Sequence, residues 1–331
     1  MPGMGIIDPK KKLIVSIGSA LVDILIREDD KFLGQTCVPK GGMTLVDHVY
    51  IQQTLLLAKD TPHIVPGGSA CNTAIGIARL GGNARFIGKL GEDDLGRLFS
   101  DGLQKNHVES ILFRSHLPTG RVLSVITPDA QRSMLTFLGA SAETLPEELS
   151  DASLAGAAVV HIEGYLLFNR NLILAALKAA KNAGAVISLD LASFTVVRET
   201  KKFLNEIVPE YIDILIANED ESLAFTGIDD ERKALKKLAE NVTIAVLKVG
   251  KRGSFVFHDN QTISIAPIGA GKAVDTTGAG DLWASGFLFG LVHNLPLEKC
   301  GVLGSVCGSE VCQVVGAAIP DKGWHRIKKY L

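Results

Sequence analysis

Between residues 273 and 291 the chain reads AVDTTGAGDLWASGFLFGL. Gly278, Ala279 and Gly280 would leave backbone N–H groups uncovered just ahead of a long apolar run that predicts a helix. N–H groups at a helix start, reinforced by the helix dipole, bind anions. Asp281 then falls in the first helical turn. A carboxylate there is either an acidic helix start or a base. Beside an anion cradle it suits a hydroxyl acceptor activated next to a transferring phosphate. The stretch is not a Walker loop: Gly271-Lys272 is present, but Ala266 and Ala273 replace the first glycine and the metal-reaching hydroxyl. Nor is it a dinucleotide fingerprint, because Trp283 occupies the place of the third glycine.

A second glycine cluster, VPGGSACNTAIGIARLGGNARFIGKLGEDDLG, spans residues 65–96. Gly67-Gly68 ahead of a helix that carries Asn72 is either a plain strand–helix turn or a hinge beside a hydroxyl-binding amide. Asp23, in GSALVDI, is placed at the end of the first strand, as a turn residue or at the carboxyl edge where ligands bind. ANEDES at 217–222 also ends a strand. Its acids either cap a helix or form a patch for hydrated Mg²⁺, which takes one or two carboxylates plus water.

The elements that must position these residues alternate. Strands are expected at Leu13–Ile17, Arg85–Gly88, Ala157–Ile162, Ala185–Leu189, Ile212–Ala217, Thr243–Val249 and Thr262–Ala266. Helices are expected at Ser69–Leu80, Leu95–Asn106, Asn169–Asn182, Glu219–Phe225, Asp230–Glu240, Gly280–His293 and Pro296–Val315. This order predicts an α/β fold whose mainly parallel sheet is covered on both faces by helices, with ligands outside the strands' carboxyl ends. Residues 20–50 and 111–140 break the rhythm with extended patterns such as LSVITP and SMLTF and with turn formers. They are expected to leave the main sheet and pair as a small β lid. The large unit is then 1–19, 51–110 and 141–331.

Composition bounds the function. The 331 residues are 47% hydrophobic and 6% aromatic with a net charge of −2, which argues against nucleic-acid binding. No apolar run reaches membrane-span length, and the first residues lack signal-peptide order. Cys37, Cys71, Cys300, Cys307 and Cys312 are scattered through mostly apolar segments, as in a reducing cytoplasm. No spacing suits a structural metal.

Together the two glycine motifs, NEDE at 218–221 and KVGKRGSFV resemble the ribokinase-like (PfkB) family of sugar and nucleoside kinases over almost the whole chain. The resemblance implies a Rossmann-like sheet with a β lid, use of ATP and Mg²⁺, and phosphoryl transfer to a primary hydroxyl. Asp281 is then the base, and Gly278, Ala279 and Gly280 the anion hole. Asp23, Gly67, Gly68 and Asn72 match sugar-binding positions. Arg132, otherwise a surface charge, matches an arginine reaching the phosphates on lid closure. Lys248, Gly250, Gly253 and Thr277 fall on the nucleotide side. Asn218 and Glu221 help place Mg²⁺ through water, and Asp275 orders a monovalent cation such as K⁺.

Within the family, the lid spacing and EGYLLFNRNLILAALKAAKNAG are similar to adenosine kinases. That likeness implies adenosine as acceptor, with Phe194, Leu21 and Met43 as an apolar wall against the purine. Ser19 departs: adenosine kinases commonly have Asn there, whereas Ser is frequent in ribokinases. A sugar kinase for ribose or fructose is therefore the alternative, and an inactive binding protein a further one. A monomer or homodimer is expected, with no nucleic-acid or membrane partner.

Overall fold

The computed structural model describes residues 7–36, 38–269 and 273–331. Cys37 and the Gly271-Lys272 pair lie outside the described residues.

In chain order, β1 (Leu13–Ile17) and β2 (Leu21–Arg27) precede α1 (Asp30–Leu33), β3 (Met43–Leu45), α2 (His48–Leu57) and β4 (His63–Gly67). Then come α3 (Ser69–Leu80), β5 (Asn83–Gly91), α4 (Asp94–Lys105), β6 (Glu109–Ser115), β7 (Thr119–Ile126) and β8 (Arg132–Gly139). Alternation resumes with β9 (Ala157–Glu163), α5 (Arg170–Asn182), β10 (Val186–Asp190), α6 (Phe194–Tyr211) and β11 (Ile214–Asn218). The chain closes through α7 (Glu219–Thr226), α8 (Glu231–Leu238), β12 (Ile244–Lys248), β13 (Ser254–His258), β14 (Gln261–Ile265), α9 (Ala279–Val292), α10 (Leu297–Val311) and α11 (Asp321–Ile327).

Nine strands form the large sheet in the order β14-β13-β12-β11-β10-β9-β1-β5-β6, parallel except where β13 joins β12 and β14. Every residue of β9 and β10 is buried, as expected of parallel strands covered on both faces. Alternation divides them: Val160 and Ile162 pack in one core, Val159 in the other. The second sheet, β3-β8-β7-β2-β4, stands apart from the first. Both α/β architecture and small sheet match the reading of the sequence.

Four local expectations change. Asp23 does not end the first strand; it lies inside β2, opposite Val65 and Val122 in the small sheet. β4 pairs with β2 and so belongs to the small sheet, although 51–110 was assigned to the large unit. Conversely β6, which runs past residue 111, is the edge of the large sheet through β5. The 18-residue α6 was not foreseen. Its buried Val196, Val197, Thr200, Phe203, Leu204, Ile207 and Val208 follow the helical period. β-branched residues and Pro209 obscure that pattern; Pro209 removes the hydrogen bond to the Asn205 carbonyl, and the helix ends two residues later.

Candidate active site

The carboxyl ends of β9, β10, β11 and β12 bring Glu163, Asp190, Asn218 and Lys248 to one rim, where α9 also begins. These residues line a cavity of about 1360 Å³ that runs from Leu21 and Met43 of the small sheet to Gly250, Pro267 and Ser309. A site for one small ligand occupies roughly 300–1,000 Å³, so this groove is larger than one small ligand needs.

Asp281 lines this cavity. Ser69 Oγ donates to Asp281 Oδ1 at 2.7 Å and Asn72 Nδ2 to Oδ2 at 2.9 Å. Thr73 Oγ1 also donates to the Asp281 carbonyl at 3.1 Å, so the start of α3 holds both ends of the residue. Burial raises the Asp281 pKa, while the Asn72 and Ser69 hydrogen bonds oppose the rise. Asn72, expected on a sugar hydroxyl, lines the cavity and gives one amide N–H to the carboxylate. A carboxylate held by two donors keeps lone pairs for a third.

Gly278 caps α9 in the left-handed region (φ +75°), and a Cβ there would come 2.7 Å from the Ala317 methyl. Glycine is needed on both counts. The Ala279 N–H already donates to the Thr276 carbonyl at 3.2 Å, which leaves Gly278 and Gly280 as the uncommitted members of the expected trio. A cation joins them: Lys248 Nζ lies 3.0 Å from where a Gly280 Cβ would stand. Lys248 pairs with Asp190 at 2.8 Å. Burial works against its charge, but Asp190 and Glu221 outweigh burial and raise its pKa.

Thr277 and Asp275 hydrogen-bond one another ahead of α9. Asp275 is fully buried. Its Oδ1 accepts from the Thr277 N–H and hydroxyl at 2.9 and 2.7 Å, and its Oδ2 from the Gly316 N–H at 2.7 Å. Both residues lie behind the cavity wall and tie the loop before α9 to the chain's last segment.

At the acceptor end, Asp23 is buried and its pKa is pushed up to about 7, chiefly by burial, with Arg132 opposing and Asp281 adding. Gly67 makes room for it: a Cβ there would overlap the Asp23 carboxyl, so Gly67 supports the site without lining it. Gly68 (φ +88°) does line it, and a Cβ would stand 2.6 Å from the Ser19 carbonyl oxygen. Leu21 and Met43 pack with Val122 and Met134, and Leu138 and Tyr165 extend this apolar wall along the cavity. Phe194 also faces the cavity from the start of α6, with the Arg198 guanidinium 5.0 Å from its ring centre. Half-buried Arg132, at the start of β8, reaches both Asp23 and Asp281 electrostatically.

Two residues here were not singled out in the sequence. Glu163 Oε1 accepts from the Ser19 N–H at 2.8 Å and Oε2 from the Ala70 N–H at 3.0 Å. It ties the chain entering the small sheet to the start of α3. Burial pushes its pKa up to about 7 against those hydrogen bonds. Asp190, the partner of Lys248, is the other. Each ends a buried strand, a position that only sheet order turns into a site.

On the nucleotide side, Asn218 caps α7 and forms a reciprocal capping box with Glu221. Glu221 Oε2 accepts from the Asn218 N–H and Oε1 from its amide, both at 2.7 Å. Glu221 is buried, and burial followed by the Asp190 charge pushes its pKa up to about 8. Gly250 and Gly253 line the cavity beside it; a Cβ at Gly253 would overlap the Ile265 carbonyl. Among the described residues no three His, Cys, Asp or Glu side chains form a metal-holding group. Such acids could hold Mg²⁺ only through water, since Mg²⁺ takes one or two carboxylates plus water.

A parallel sheet with a β lid and a carboxylate beside a helix-start anion cradle define a ribokinase-like phosphotransferase that acts on a hydroxyl group. The model of the pfkB family carbohydrate kinases matches residues 11–322. The chain belongs to that family. An adenosine kinase of Sinorhizobium meliloti is similar at a TM-score of 0.92 and 32% identity, covering 97% of this chain and 100% of that one. A probable sugar kinase of Rhizobium etli CFN 42 gives 0.91 and 32%, covering 97% and 98%. A ribokinase of Arabidopsis thaliana is 28% identical over 96% of this chain and 80% of its own length. No helix among the described residues is long and apolar enough to cross a membrane.

Proposed function

We propose that the protein transfers the γ-phosphoryl group of ATP to the 5′-hydroxyl of a ribonucleoside, adenosine foremost, giving the monophosphate. The observation that carries the acceptor is the apolar wall of Leu21, Met43, Val122, Met134, Leu138 and Tyr165 beside the Asp23 carboxylate. A purine buries a broad apolar face there, whereas each sugar hydroxyl left unpaired against such a wall would cost about 1–3 kcal/mol.

Asp281, fixed by Ser69 and Asn72, takes the hydroxyl proton as attack begins. The Gly278 and Gly280 N–H groups and Lys248 stabilise charge on the moving phosphoryl group. Arg132 brings a second cation from the lid side, and Asp23 orients the ribose. Gly250 and Gly253 let the nucleotide approach the backbone. Mg²⁺, when bound, neutralises the nucleotide phosphates, and Glu221 and Asn218 orient its water. Buried free thiols at Cys71, Cys300 and Cys307 suit a reducing compartment.

A sugar kinase is the second reading, favoured by Ser19 and by the ribokinase likeness. The experiment is an ATP-consumption assay over a panel of adenosine, other nucleosides, ribose and fructose. Adenosine is expected to exceed the free sugars in kcat/KM by at least about tenfold, roughly 1.4 kcal/mol of differential transition-state binding. Faster turnover of a free sugar moves the protein to the sugar kinases, and no phosphorylation of any acceptor makes it a binding protein.

A further inference from the structure

A second cavity, of about 320 Å³, opens on the far side of α3, between the ends of α3 and α4 and the face of α11. Its rim gathers bases from three separate elements: Arg79 from α3, Lys105 and His107 from the end of α4, and Lys328 beyond α11. His325 adds another ring, and the buried Trp324 lies at the base. In a chain with 34 Lys and Arg against 36 Asp and Glu, this cavity has one acid, Asp321.

That acid is already committed. Asp321 pairs with Arg79, whose guanidinium lies 5.6 Å from the Trp324 ring centre. Lys105, His107 and Lys328 have no side-chain hydrogen bond or ion pair among the described residues. Helix ends often explain such cations, because unpaired carbonyls attract them. Here backbone donors already satisfy four of those carbonyls. The Gly81 and Gly82 N–H groups reach Ala78 and Ile77 carbonyls at 2.9 Å, and those of His107 and Val108 reach Gln104 and Leu103 at 3.0 Å. Asp321 also lies within electrostatic reach of Lys105 and His325, but its single charge is matched by Arg79, so Lys105 and Lys328 leave the cavity with excess positive charge that a bound anion offsets.

We infer that this cavity binds a small phosphate-bearing anion. Planar carboxylates favour the forked guanidinium, and one arm of the Arg79 fork, Nη2, already pairs with Asp321. What remains are Lys and His, point-charge donors that suit a tetrahedral group approached from several sides. The volume fits pyrophosphate or a sugar phosphate and is too small for a dinucleotide. Asp281 is held at the other end of α3, so this site is separate from the phosphoryl-transfer groove.

The chain has two tryptophans, Trp283 on the main groove and Trp324 here, so Trp283→Phe leaves one reporter beside the new site. Pyrophosphate, titrated at constant ionic strength, is expected to change Trp324 emission saturably and at lower concentration than citrate does. Lys105→Glu with Lys328→Glu, both at exposed positions, should weaken that response at least about tenfold, whereas Asp281→Asn should leave it unchanged. If Trp283→Phe does not fold, ³¹P line broadening of pyrophosphate makes the same comparison between wild type and the double variant. No response up to millimolar pyrophosphate, an equal response to citrate, or an unaltered response in the double variant overturns the inference.

Discussion

Replacing Asp281 with Asn tests the proposed chemistry at its narrowest point. The amide has the size of the carboxylate, and the surrounding donors can accommodate it. Its oxygen can accept from Asn72 Nδ2, now 2.9 Å from Oδ2, and its nitrogen can donate to Ser69 Oγ, now 2.7 Å from Oδ1. The Ser69 hydroxyl rotates to suit. Both contacts survive, so stability should stay within about 1 kcal/mol of wild type. A neutral amide also escapes the burial that raises the carboxylate's pKa. What disappears is the proton acceptor. Loss of a general base slows turnover about 10²–10⁴-fold, or about 2.7–5.5 kcal/mol of barrier. The assay is steady-state phosphorylation of adenosine, with calorimetric titration of adenosine into the variant. Turnover should collapse while adenosine affinity changes little. The acid limb of the wild-type pH profile, where Asp281 takes up a proton, should vanish from the residual activity. Turnover within about threefold of wild type, in a variant that still binds adenosine, would reduce Asp281 to an acidic helix start.

Two further outcomes follow from the buried charges. Lys248→Met should lower kcat/KM by at least about 10²-fold. It also strands Asp190 beside Glu221, which should cost about 3–5 kcal/mol in thermal or urea unfolding. Adding Asp190→Asn should restore stability but not turnover, and recovery of turnover would limit Lys248 to neutralising Asp190. Asp23 and Glu163 titrate near 7 and Glu221 near 8 when folded, all above their ordinary range. The folded state therefore holds protons that the unfolded chain has released between about pH 4 and those values. The ligand-free protein should lose stability as pH rises through about 5 to 8, by on the order of a few kcal/mol. Buried His161, lowered to about 4 by burial, works in the opposite direction below about 6.5. Glu163→Gln should flatten the decline in Tm across that window, and an unchanged slope would remove Glu163 from the account.

The α/β alternation, the cradle before α9 and the Asn218–Glu221 box were legible because each is local. Glycines before an apolar run, or an Asn three residues ahead of a Glu, act within one turn of chain. The short α-helical period of α6 was local too, but β-branched residues and Pro209 blurred it. Strand membership was harder. β4 reads like any short extended run, and only its hydrogen bonds to β2 place it in the small sheet.

The partners of the candidate site residues were beyond the sequence altogether. Asn72 and Asp281 are 209 residues apart, and nothing near either shows that one holds the other. Glu163, Asp190 and Lys248 each close a buried strand, and any strand can end in a charge. They share a site because β9, β10 and β12 lie within four neighbouring strands of one parallel sheet, whose carboxyl ends open on the same rim. Local spacing determines which backbone groups and charges a segment offers. Strand order, set by how two apolar faces are buried at once, decides which of those charges meet.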